Sequence, residues 1–173
     1  LPGLVNQLHI TDCIFQNNLH TGTNTVRGGV VTNRLGNTNV WNSSFLNNQV
    51  NTSSAVEGGA LFTLGNLYID RSSFRNNNIV NSQSYVLGAA VYADGTNTTI
   101  VNSEYSNNSS TSTLPTDGGA IFTTGDTFLH YNTFVNNSCT GNGGAVYQLN
   151  SSASTLIQTC IFYANTASAN NNI

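Results

Sequence analysis

Apolar positions along this chain come in short runs separated by longer polar stretches, and the runs return in register about every thirty residues. An aromatic stands at Phe15, Phe45, Phe74, Tyr105, Phe134 and Phe162, in steps of 30, 29, 31, 29 and 28. Five residues before each lies an aliphatic (Ile10, Val40, Ile69, Ile100, Leu129, Ile157), and three residues after each lies an asparagine (Asn18, Asn48, Asn77, Asn108, Asn137, Asn165). A small residue sits two before each aromatic, in the column Cys13, Ser43, Ser72, Ser103, Asn132 and Cys160. A second signature, Gly-Gly-small-aliphatic, starts at Gly28, Gly58, Gly88, Gly118 and Gly143, with Gly88-Ala89 as its substituted copy and spacings of 30, 30, 30 and 25. Two residue classes held in phase through so many copies define a repeat protein of the solenoid or array kind.

Helical repeats fit poorly, because each copy is dense in Gly, Asn, Thr and Ser and no window sustains an i, i+3, i+4, i+7 apolar pattern. Segments such as Leu67-Tyr68-Ile69 and Thr99-Ile100-Val101 followed by Asn/Ser clusters read as brief strands and turns. The predicted fold is all-β: a single right-handed parallel β-helix over residues 1–173, with about six coils of roughly 30 residues. Coils stacked at the interstrand spacing of about 4.8 Å span on the order of 30 Å. The aromatic and aliphatic columns then become interior ladders, each buried side chain contributing roughly 1.5–3 kcal/mol before entropy is subtracted. The asparagine column has two expected causes: tolerance of positive φ, and an amide that both donates and accepts along a stack.

Composition narrows the function. Asn, Ser and Thr fill 29, 18 and 22 of the 173 positions, charged residues make up 6%, and four Arg against seven acids leave a net charge of −3. Nothing here neutralises a run of phosphates, so nucleic acid is not an expected partner. No stretch approaches eighteen apolar residues, so no membrane-spanning helix is expected either. Disorder is opposed by 38% hydrophobic residues at regular positions. Starting on Leu1 with no signal segment is what a processed mature chain or an excised fragment would show. With so few charges, folding is expected to tolerate a wide pH range.

The coupled Gly-Gly-Ala-Ile and Phe-x-x-Asn signatures resemble the repeats of the polymorphic outer-membrane proteins of chlamydiae and related surface proteins, within the pectin-lyase-like right-handed β-helices. The resemblance covers residues 8 to 165. It implies a secreted or surface-displayed passenger used for adhesion.

The ends suggest self-association. A β-helix terminates in unpaired strand edges, which solenoids normally cap. Joined to Leu1 of a second copy, Ile173 would place Phe162 and Phe15 26 residues apart, near the internal step, with Leu4-Val5 where other coils carry Ala-Val or Ala-Ile. Residues 1–7 are thus a candidate exchanged strand completing a neighbour's last coil. Cys13 and Cys160 share a column in the first and last coils, roughly 24 Å apart within one chain but adjacent across such a junction. Reduced, buried thiols are the plainer reading of both, and Cys139 reads as a small core residue in the column of Val50 and Ile79.

Catalysis has weak support. Glu57 and Asp117 each precede a Gly-Gly pair, two coils and about 9.6 Å apart, a spacing that suits paired carboxylates in a glycoside hydrolase. Arg27 occupies the same column, which makes a surface ion pair with Glu57 the simpler explanation. His9, His20 and His130 fall in different columns and make no metal site, and no cofactor is expected.

One row of rings asks for a role. Phe62, Tyr92, Phe122 and Tyr147 follow the aliphatics Leu61, Val91, Ile121 and Val146, so if those point inward, alternation turns the rings outward. An exposed stripe would serve as a contact surface for sugar rings, a host receptor or a parallel filament. The alternatives are a covering loop or reversed columns. Thr does not repeat in the flat two-column grid of an ice-binding face. Sequons occur at Asn42, Asn51, Asn97, Asn107, Asn108, Asn136 and Asn150, roughly the seven that chance gives at this composition; those at Asn51, Asn107 and Asn108 are expected in accessible loops. Three functions follow in order: a non-enzymatic extracellular subunit stacking head to tail into a fibre or shaft, an adhesin passenger binding a receptor or glycan, and a polysaccharide-active lyase or glycosidase.

Overall fold

A computed structural model describes residues 6–173. Every strand pairing in it is parallel, no helix occurs among the described residues, and the chain winds as a β-solenoid of about five turns with roughly 30 residues in each. A full turn contributes one strand to each of five sheets. In the first turn these are Gln7–Thr11, Ile14–Gln16, Leu19–Gly22, Val26–Arg27 and Val31–Asn33. The first and second sheets gather six strands, the fifth gathers five, and the third and fourth gather four. The last strands, Thr155–Gln158 and Ile161–Tyr163, continue only the first two sheets.

Register makes the sequence columns into physical ones. Phe15, Phe45, Phe74, Tyr105, Phe134 and Phe162 pair in series across the second sheet. Their rings stack with centroids 4.6–5.0 Å apart and planes within 17° of parallel. Such stacking adds roughly 0.5–1.5 kcal/mol per pair beyond the area removed from water. Across the first sheet the aliphatics Ile10, Val40, Ile69, Ile100, Leu129 and Ile157 pair in the same way. Together with Leu61, Val91, Ile121 and Val146 of the fifth sheet they close one main core. A second, smaller core of Val26, Val50, Val56, Ile79, Val86 and Ala89 fills the space behind the third and fourth sheets.

The first two corners of each turn are each made by one residue at positive φ, followed in most turns by an inward polar residue that satisfies the backbone. The first corner uses Asp12, Asn42, Arg71, Asn102, Tyr131 and Thr159; the second uses Asn17, Asn47, Asn76, Asn107, Asn136 and Ala164. After the first corner, Ser43, Ser72 and Ser103 each accept the backbone N–H of the preceding turn's counterpart and donate to the carbonyl two residues back. After the second come the ladder asparagines. Positive φ therefore belongs to the residue before each ladder asparagine, contrary to the expectation that the ladder residue itself adopts it. The ladder residue is selected for its amide alone.

Gly28, Gly58, Gly88, Gly118 and Gly143 sit at φ between 59° and 74°, where the chain doubles back onto the fifth sheet. A Cβ on Gly58 would lie 2.1 Å from the Leu61 carbonyl oxygen, so the bend is closed to any other residue.

Candidate functional site

The asparagine column is a continuous amide chain. Asn48 Oδ1 accepts from the backbone N–H and the Nδ2 of Asn18, while Asn48 Nδ2 donates to Asn77 Oδ1 at 2.9 Å and to the Phe15 carbonyl at 3.1 Å. Asn77, Asn108 and Asn137 repeat the pattern with the next amide and with the carbonyls of Phe45, Phe74 and Tyr105, and Asn165 ends it on the Phe134 carbonyl. Asn48, Asn77, Asn108, Asn137 and Asn165 are buried, so a lost partner would strand donors out of reach of water. Among the sequons this corrects the expectation at Asn108, whose side chain is committed to the ladder and inaccessible. Asn51 is half-buried, and Asn42, Asn97, Asn107, Asn136 and Asn150 are exposed.

The row Phe62, Tyr92, Phe122 and Tyr147 does face away from the main core, as alternation requires, but it offers no exposed stripe. Phe62 and Phe122 are 1% exposed and Tyr92 is 9%. Their rings stack at 5.1 and 5.3 Å, with Leu87 packed against them and the Arg27 guanidinium 5.9 Å from the Phe62 centroid. The glycine bend folds the fourth strand back over the fifth, and outward side chains of the fourth strand roof the rings. Burial, reinforced by the carboxylates of Asp94 and Glu57, pushes the Tyr92 hydroxyl up to about 12.

The two candidate carboxylates are held structurally. Glu57 Oε2 accepts from Arg27 Nε at 2.7 Å and Oε1 from the Tyr85 hydroxyl at 3.1 Å. Asp117 Oδ1 accepts from the backbone N–H and the Nδ2 of Asn142 at 2.8 and 3.0 Å. Among the described residues no three His, Cys, Asp or Glu side chains come together as a metal site. His9 stacks on Trp41 and His130 on Tyr131, at 5.7 and 3.9 Å.

Cys13, Cys139 and Cys160 are free thiols. Cys13 and Cys160 occupy the two ends of the small-residue column and are half-buried. Cys139 is buried, which pushes its thiol up to about 11. Leu4 and Val5, the candidate junction residues, lie outside the described residues.

Some surface chemistry went unread in the sequence. The single tryptophan, Trp41, lies half-buried on the outer face of the first sheet between His9 and Tyr68, 5.7 and 5.8 Å from their rings. At the first corner an open concavity of about 480 Å³ spans three turns, with Arg71, Asn102 and Tyr131 on one wall and Ser73, Glu104 and Thr133 on the other. Two large residues, Arg71 and Tyr131, in a corner column otherwise built of Asp, Asn and Thr were the available signal.

These features define a parallel β-solenoid with hydrogen-bonded and aromatic interior ladders. The family pattern described as the Chlamydia polymorphic membrane protein (Chlamydia_PMP) repeat matches residues 133–148, which run from the Phe134 signature through the Gly143 signature of the fifth turn. In that turn nine positions separate the two signatures, whereas thirteen or fourteen separate them in the first four turns. No curated protein matches the chain, and no solved structure does. No helix among the described residues is long and apolar enough to cross a membrane.

Proposed function

We propose that this chain is a surface-displayed, non-enzymatic β-solenoid whose role is mechanical: a rod segment that joins copies of itself end to end. The observation that carries the reading is the likeness of the first and last turns described. Phe15 and Phe162 occupy one column, Cys13 and Cys160 another, and Ile14 and Ile161 a third. Among the described residues Phe15 and Phe162 each have a single ring partner, and Ile14 and Ile161 are 68% and 59% exposed. A second copy docked in register would continue the first two sheets, with their aromatic, aliphatic and small-residue columns, across the junction, adding parallel strand pairs and apolar burial at once. Surface display is supported by the repeat match in the fifth turn, and the absence of catalysis by the engagement of Glu57 with Arg27 and Tyr85 and of Asp117 with Asn142.

Mild oxidation tests the junction. One stacking step of about 4.8 Å lies within the Cα separation that a disulfide spans. Concentrated protein is expected to give a ladder of covalent oligomers that disappears in Cys13→Ser and in Cys160→Ser but persists in Cys139→Ser. A chain that stays monomeric by sedimentation and forms no Cys13–Cys160 bond would overturn the reading.

A further inference from the structure

We propose that the concavity at the first corner, across the third to fifth turns, holds one ring of a neutral saccharide. It is independent of end-to-end joining, since its residues lie on the side of the rod.

The argument begins with backbone conformation. In the first-corner column, Asn42 and Asn102 take positive φ at little cost, because a short amide side chain tolerates it. Arg71 and Tyr131 take φ of 48° and 56° in the same column, where long or bulky side chains are disfavoured. These two are the residues that project beside the concavity, one turn either side of Asn102. Side chains held in costly backbone conformations collect at ligand clamps.

The chemistry of the walls selects the ligand. Tyr131 is 56% exposed, and His130 stacks on its ring at 3.9 Å, which restricts the ring's freedom before anything binds. A fixed aromatic face suits the apolar face of a pyranose, and the rim beside it is hydroxyl, amide, guanidinium and carboxylate. Arg71 is already paired with Asp70 at 3.2 Å, and Glu104 with Arg75 at 3.6 Å and with the Ser106 hydroxyl at 2.8 Å. The site therefore presents one cation and one anion, each partly neutralised, so a simple anion or cation gains little there. A vicinal diol uses both: one hydroxyl accepts from Arg71 while its neighbour donates to Glu104. On the same wall Ser73 Oγ is shielded from water and has no hydrogen-bond partner among the described residues. A buried hydroxyl in that state costs free energy that a rotamer change and an incoming hydroxyl would recover.

The test is an NMR titration of the folded chain with cellohexaose, chitohexaose and mannohexaose, and with hexagalacturonate as the acidic counterpart, up to the roughly millimolar range of weak specific binding. At least one neutral hexasaccharide is expected to shift the signals of Ser73, Asn102, Thr133 and the Tyr131 ring. Affinity is expected to fall at least tenfold in Tyr131→Asn and in Arg71→Asn, and several-fold in Ser73→Ala. The two asparagine variants install the residue this corner carries in neighbouring turns, so their melting temperatures should hold or rise. Absence of shifts at this corner with all three neutral sugars, tighter binding of hexagalacturonate, or unchanged affinity in the variants would each overturn the proposal.

Discussion

Two aromatic columns run along this solenoid, the inner one from the first turn to the last described and the outer one from the second to the fifth, and they differ in what closes them. The inner one, Phe15 to Phe162, is enclosed by the first, second and fifth sheets and by the amide ladder that ties each turn to the next. The outer one, Phe62 to Tyr147, is stacked at similar spacing but lies under a single layer, the fourth strands folded back by the glycine bend. That roof has four strands and ends before the fifth turn, where isolated bridges at Ser138 and Asn142 replace the third and fourth strands. Tyr147, at that end, is half-buried and tilted 45° from Phe122. Strand alternation decides which way a ring points; whether anything covers it is decided by the path of a different segment.

Truncation separates the two columns. Phe74→Ala in the inner one should cost about 3–5 kcal/mol by chemical denaturation, because surrounding sheets on three sides cannot collapse into the cavity. Phe122→Ala in the outer one should cost less, roughly 2–3 kcal/mol, because a two-residue fourth strand relaxes more easily. Equal losses would mean that the outer roof is as rigid as the main core.

Alkali should unfold both columns, through one tyrosine in each. Tyr92 is raised to about 12, Tyr105 well above its ordinary value by complete burial, and Cys139 to about 11. Each is neutral when protonated and has a higher pKa folded than unfolded, so its stabilising contribution is complete below the unfolded values near 9 to 10 and is lost as pH climbs above them, by about 11 for Cys139 and about 12 for Tyr92. A melting temperature measured from pH 7 to 12 should fall through that window. Replacing Tyr92 and Tyr105 together by Phe should flatten the curve.

The smallest effect has the opposite sign. Tyr105 is the only member of the inner column with a hydroxyl, and that oxygen is buried without a partner among the described residues. Tyr105→Phe should therefore raise stability by about 1 kcal/mol. A loss would mean the hydroxyl is satisfied in solution.

What the sequence made legible is what repeats. The thirty-residue step, the interior columns and the Arg27–Glu57 pair all follow from positions that recur in phase. The doubled asparagines hid a division of labour: in Asn17-Asn18, Asn47-Asn48, Asn76-Asn77, Asn107-Asn108 and Asn136-Asn137 the first turns the corner and the second builds the ladder. The last copy, Ala164-Asn165, carries the distinguishing signal, since only the ladder position keeps its amide. The outer row stayed open between an exposed and a covered reading because its cover is set by a glycine bend in a different segment, and the first-corner concavity escaped because it depends on Arg71 and Tyr131, the large side chains in a column of shorter ones.

Side-chain hydrogen exchange offers the most direct examination of whether successive turns lie in register. The Nδ2 protons of Asn48, Asn77, Asn108, Asn137 and Asn165 should exchange orders of magnitude more slowly than those of Asn17, Asn47, Asn76, Asn107 and Asn136, although the two sets are sequence neighbours. Indistinguishable rates for the two sets would contradict the stacked ladder and with it the fold described above.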